Sequence, residues 1–171
     1  MRHIVITGRN GVGKSTLVRA ILDEIALPVY GVITKKEAAD CGGYQPVYIH
    51  LCGKERRFCE DNRIGLCRQG NSIAYPDAFD RFSKQMHFPN DGVIVLDELG
   101  FLESDAHTFT ASVLHILDTA PMCVCAVRDK QTPFLDAVRS HPRAEVFSVT
   151  EENRTLLRAQ ILAQLPGLMK D

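Results

Sequence analysis

Several features that mark other protein classes are missing from this chain of 171 residues. It has no basic excess: 20 Lys and Arg stand against 21 Asp and Glu, a formal net charge of −1. Proteins that hold nucleic acid by charge show a clear basic surplus, so no nucleic-acid partner is expected. No apolar run approaches the roughly 20 residues a spanning helix needs, so no membrane role is expected either. A secretory leader is not evident, since Ile4, Val5 and Ile6 are followed at once by Thr7 and Gly8. The expectation is a cytoplasmic protein with reduced thiols. Six cysteines are too few for a disulfide scaffold. Cys41, Cys52, Cys59 and Cys67 fall in one stretch, yet no pair has the C-x2-C spacing usual in structural zinc sites. Cys123 and Cys125 are two apart on an expected strand and read as small buried hydrophobes. The histidines form no spaced pair that points to a metal, and no internal repeat is visible.

What remains is ordinary globular usage, 45% hydrophobic and 24% charged, and the expectation is a single domain over residues 1–171. The informative segment comes first. His3 to Thr7 is a short β-branched run that reads as a buried strand. It leads into Gly8-Arg9-Asn10-Gly11-Val12-Gly13-Lys14-Ser15, which fits the Walker A pattern G-x-x-x-x-G-K-[ST] at every fixed position. Thr16 follows, and Leu17, Val18, Ile21, Leu22 and Ile25 then mark one face of a helix. Strand, glycine loop and helix in that order are the context the motif requires. Gly8, Gly11 and Gly13 let backbone N–H groups turn inward as an anion nest, and the helix N-terminus adds its dipole. Lys14 brings a positive charge to the β- and γ-phosphates, and the Ser15 hydroxyl is a ligand for Mg²⁺. Residues 8–16 are therefore the expected nucleotide-binding segment.

A second constellation concerns the reaction. Gly92 to Leu96 is an apolar run that ends in Asp97 and Glu98. The run reads as a central parallel strand buried on both faces, and ligands in open α/β sheets lie beyond such strand ends. Asp97 is the expected Mg²⁺ partner, and Glu98 suits a general base acting on water. Met122 to Val127 is the next buried strand and delivers Arg128 to the same edge. Arg128 is a candidate for stabilising charge on the transferred phosphoryl group. Glu103, five residues beyond Glu98, reads either as a further group near the metal or as an acid favouring the next helix.

The rest of the chain reads as α/β with a mostly parallel sheet and helices on both faces. Residues 35–75 read as an insertion. Within it, Tyr44 to His50 and Arg56 to Cys59 form an expected β-hairpin, and 60–72 an expected surface loop. Arg56, Arg57, Arg63 and Arg68 are interleaved with acids and read as a solvated surface. Phe79, Phe82 and Met86 after Pro76 mark a helix, and Phe109, Val113, Ile116 and Leu117 another. Ala144 to Val149 is the last expected strand. Thr150 is the expected cap of a final helix running through Leu157, Ile161 and Leu165 to a stop at Pro166-Gly167. Asn153 and Arg154 fall in its first turn, near where a base or ribose could lie.

These blocks resemble the small nucleoside-triphosphatases first described from thermophiles, also called cancer-related nucleoside-triphosphatases. The likeness rests on Ile6-Thr7-Gly8 entering the glycine loop and on Gly31-Val32-Ile33-Thr34. It continues through Leu96-Asp97-Glu98-Leu99-Gly100-Phe101-Leu102-Glu103 and closes with Val149-Thr150-Glu151-Glu152-Asn153-Arg154. It implies a RecA-like P-loop NTPase core, a three-layer sandwich, and Mg²⁺-dependent hydrolysis of ATP, GTP and other triphosphates. Residues 35–75 depart from the pattern, with Ala38 to Gly43 where the family has an arginine-bearing turn. Two other functions remain open on the residues alone. One is a nucleoside or nucleotide kinase using 35–75 as acceptor site; the other is a nucleotide-gated binding module with slow turnover.

Overall fold

Apolar runs bounded by turn residues become the innermost strands. In the computed structural model, which describes residues 1–170, these are β1 (His3–Gly8), β2 (Val29–Lys36), β6 (Val93–Leu99), β7 (Met122–Arg128) and β8 (Ala144–Ser148). Between β2 and β6 lie β3 (Gln45–Leu51), β4 (Arg63–Arg68) and β5 (Asn71–Ala74). All eight join one sheet in the order β5-β4-β3-β2-β6-β7-β1-β8. Pairing is parallel from β2 through β6, β7 and β1 to β8, and antiparallel from β2 outward to β5.

The period-two alternation of the strands sorts the core into two layers. Ile4, Ile6, Val93, Val95, Val124 and Ala126 pack beneath α1 (Lys14–Leu22) and α5 (Arg154–Leu168). Val5, Ile94, Leu96, Cys123, Cys125 and Val127 face the other way, under α2 (Pro76–Ser83), α3 (His107–Thr119) and α4 (Pro133–Arg139). The result is an α/β fold with a mostly parallel sheet between two helical layers. Cys123 and Cys125 are fully buried on one face, as their spacing implies, and burial pushes the Cys123 thiol up to about 12. His3 is also fully buried. Its Nε2 lies 2.7 Å from the Leu117 carbonyl and its Nδ1 accepts the Cys123 N–H, so a neutral ring bridges three elements.

Four expectations need correction. The strand partner of Gln45–Leu51 is β4, not residues 56–59, and the expected loop at 60–72 holds β4 and the start of β5. The charges that made this stretch look like loop lie on the outward side, while Ile64 and Cys67 turn inward. The extension is thus three antiparallel strands continuing the main sheet. Helix α4 had no counterpart in the reading; it is seven residues long, and its signals are Thr132, whose hydroxyl accepts the Leu135 N–H, and Pro133 at its start. Thr150 does not cap α5 directly. Its hydroxyl accepts the Asn153 N–H while the Asn153 side-chain Oδ1 accepts the Thr150 N–H, and Asn153 occupies the N-cap position. Pro166 does not stop the helix, which continues to Leu168. Proline there forfeits one backbone bond, but Leu168 is buried and its carbonyl accepts the Arg2 N–H, which holds the last turn.

Candidate functional site

The glycine loop joins the C-terminal end of β1 to the N-terminus of α1. Gly11 and Gly13 take φ of 78° and 103°, values that a side chain resists, and Gly13 is the N-cap of α1. Gly8 is required for space instead: a Cβ there would lie 2.6 Å from the Val149 carbonyl oxygen. Val12 is buried against the α1 core, whereas Arg9, Asn10, Ser15 and Thr16 are exposed around the loop. Lys14 is only 4% exposed. Its ammonium donates to the carbonyls of Gly8 and Arg9 at 2.9 and 2.8 Å, tying its side chain back along the loop.

The end of β6 meets this loop. Neighbouring residues on a strand ordinarily point to opposite faces, but the pairing of β6 with β7 slips by one residue at Glu98: Asp97 pairs with Ala126 and Leu99 with Val127. Asp97 and Glu98 consequently line the same cavity. Ser15 Oγ donates to Asp97 Oδ1 at 2.8 Å. Burial raises the Asp97 carboxyl above its ordinary range, opposed by that hydrogen bond and by Lys35. Glu98 lies between two cations, with Oε1 2.8 Å from Lys14 Nζ and Oε2 3.2 Å from Arg128 Nε. Its backbone N–H donates to Thr34 Oγ1. Arg128 stacks over the Phe101 ring, 5.5 Å from its centroid. Its carbonyl accepts from Arg139, which also holds the Lys130 carbonyl.

Lys14, Ser15, Asp97, Glu98 and Arg128 therefore converge at one sheet edge from three separate elements. Glu103 lies beside them, 3% exposed, with Oε1 accepting the Gly100 N–H at 3.0 Å. Burial lifts its pKa to about 7. It thus holds the turn after β6 and does not start α3, which begins four residues later. Sequence reasoning gave no role to Thr34, Lys35, Lys36 or Phe101, all of which line or brace the cavity. The signal for Thr34 and Lys35 was their place at the end of a parallel strand next to β6. Asn153 is spent on the turn before α5, donating to the Ser148 carbonyl. Arg154 instead lines a separate cleft with Gly13, Thr16 and Arg158.

A family described as NTPase matches residues 3–162. The chain belongs to this NTPase family. Among curated relatives, the mouse cancer-related nucleoside-triphosphatase homolog is 26% identical over 95% of both chains. The nucleoside-triphosphatase THEP1 of Thermotoga sp. is 26% identical over 95% of this chain and 94% of its own. In structure, human cancer-related nucleoside triphosphatase aligns with a TM-score of 0.63 at 25% identity over 98% of both chains. THEP1 from Aquifex aeolicus aligns at 0.62 and 21% identity, over 95% of this chain and 98% of its own, which shows the shared fold. NTPase chemistry requires neutralising phosphate charge, and the donor set here fits Mg²⁺. The Ser15 hydroxyl and the Asp97 carboxylate are hard oxygen donors already 2.8 Å apart, at the loop end where phosphates would lie.

Proposed function

We propose that the protein hydrolyses nucleoside triphosphates, ATP and GTP among them, to the diphosphate and phosphate with Mg²⁺. Membership of the NTPase family supports the activity itself. The observation that carries the mechanism is the Lys14–Glu98–Arg128 triad, one carboxylate shared by two cations. It has a surplus positive charge in a partly buried place, which a γ-phosphate would satisfy. Residues 8–16 would wrap the β- and γ-phosphates with inward N–H groups and the α1 N-terminus. Ser15 and Asp97 would hold Mg²⁺, which when bound neutralises charge on the phosphate oxygens.

Binding would draw Lys14 away from Glu98 toward the phosphates, and Arg128 toward the charge developing on the transferred group. Glu98 would then be freed to accept a hydrogen bond from a water and orient its oxygen toward the γ-phosphorus. Thr34 fixes the backbone that presents Glu98, and Phe101 fixes the plane of Arg128. Most of the rate would come from positioning and electrostatics around a loose phosphoryl group. No helix among the described residues is long and apolar enough to cross a membrane.

The test is phosphate release from Mg-ATP and Mg-GTP by the protein alone. Steady release that Lys14→Ala and Glu98→Gln abolish is the expected result. Tight nucleotide binding with negligible turnover would replace this reading with a nucleotide-gated binding module.

A further inference from the structure

The cavity at the reacting end runs well past the triad, with a volume of about 240 Å³. A γ-phosphate and Mg²⁺ would occupy its Ser15 and Asp97 end. One end is the triad with Ser15 and Asp97. Away from it the wall turns apolar, with Val47, Ile64 and Cys67 from the antiparallel strands and Leu102 from the turn after β6. Lys35 and Lys36 stand along its side. Glu103 also lines it, almost fully buried, and its Oε2 has no hydrogen-bond partner. A polar atom buried in that way is costly unless something else meets it. A water nucleophile uses none of these features.

We propose that this annex is an acceptor site, through which the protein also transfers the γ-phosphoryl group to a hydroxyl of a small anionic alcohol, typified by a nucleoside 3′-monophosphate. The inference rests on the hydrolase reading, because it uses the same bound triphosphate and the same Glu98. The apolar walls suit the faces of a base, and the free Glu103 oxygen suits its polar edge. Lys35 and Lys36 suit the 3′-phosphate. The nucleophile is a hydroxyl, since a neutral hydroxyl needs a base and Glu98 stands at the reacting end to serve as one. In the step, the 5′-oxygen forms a bond to the γ-phosphorus as the bond from that phosphorus to the β,γ-bridging oxygen breaks. The bond electrons leave on the diphosphate, and the hydroxyl proton passes to Glu98 and then to solvent. Hydrolysis is then what the same site does when water fills the annex.

The experiment incubates the full-length protein with Mg²⁺, γ-³²P-labelled ATP and either 3′-AMP or 3′-UMP, with adenosine and 5′-AMP as comparators. The expected product is a labelled nucleoside 3′,5′-bisphosphate, formed at least tenfold faster than labelled product from adenosine. Lys36→Glu, an exposed position, should raise the KM for the 3′-nucleotide tenfold, and Lys36→Arg should restore it. Phosphate release with no label in either 3′-nucleotide overturns the acceptor site and leaves the hydrolase standing. Label on the phosphate of 5′-AMP, as labelled ADP, overturns the hydroxyl assignment. Transfer to 3′-AMP unaffected by Lys36→Glu overturns the lysine contact. Absence of any turnover overturns the hydrolase reading together with this one.

Discussion

The parallel and antiparallel halves of the sheet differ in what they do with burial. β6 and β7 are buried along nearly their whole length on both faces, whereas β5 alternates between exposed and half-buried residues at the sheet edge. Glu98 and Arg128 stand on the parallel half and Lys14 at the start of α1, the helix that follows β1, where close packing leaves little room to shift. The antiparallel half contributes no charged group to the triad and instead supplies the apolar wall of the cavity. Strand ends packed on two sides hold the triad, and a partly exposed flank walls the cavity beside it.

Five substitutions would break or sharpen that contrast, in descending order of effect. Glu98→Gln should lower kcat for phosphate release by about 10²–10⁴-fold, equivalent to about 3–5 kcal/mol, as expected for loss of a general base. Unchanged kcat would remove Glu98 from the chemistry. Ile94→Ala, in the parallel core at 1% exposure, should cost about 2–5 kcal/mol of stability in chemical denaturation. Glu103→Gln tests the junction of the halves through pH. A buried carboxyl with a raised pKa favours the folded state when protonated, so its penalty grows as pH climbs from the unfolded value of 4.5 to about 7. The variant should therefore gain stability on the parent across that window, by up to about 3 kcal/mol above pH 7. A constant difference would show that Glu103 does not titrate there. Arg128→Ala should lower kcat tenfold or more, about 1.4 kcal/mol, and unchanged kcat would refute its role. Ile73→Ala, on β5 at 42% exposure, should shift stability by no more than about 0.5 kcal/mol. A loss there matching Ile94→Ala would erase the contrast between the halves.

Legibility followed the same division. Val93 to Leu96 and Met122 to Val127 could be read as strands because burial on both faces demands unbroken apolar runs. The fixed positions of the glycine loop could be read because positive φ and close approach leave few residues admissible. The flank could not be read, because a strand half exposed to water tolerates the Arg, Glu and Asn that also mark loops. Arg63 illustrates this: it opens β4 yet pairs with Glu60 and lies over the Tyr75 ring. Pro166 misled for a different reason, since contacts distant in sequence, from Arg2 to Leu168, outweigh a local helix breaker.

By itself, the sequence determined the family, the fold class and the residue types of the glycine loop and the acidic strand end, because each depends on local pattern or on backbone constraints within a few residues. Only the tertiary structure decided how those residues stand to one another. The register slip at Glu98 turns two adjacent carboxylates toward one cavity, and Lys14 and Arg128, 114 positions apart in number, share one of them. The annex beside them is walled by Val47 of β3 and by Ile64 and Cys67 of β4, on the antiparallel flank of the sheet. No local pattern carries that information, since it arises from the packing of segments that meet only when the whole sheet has formed.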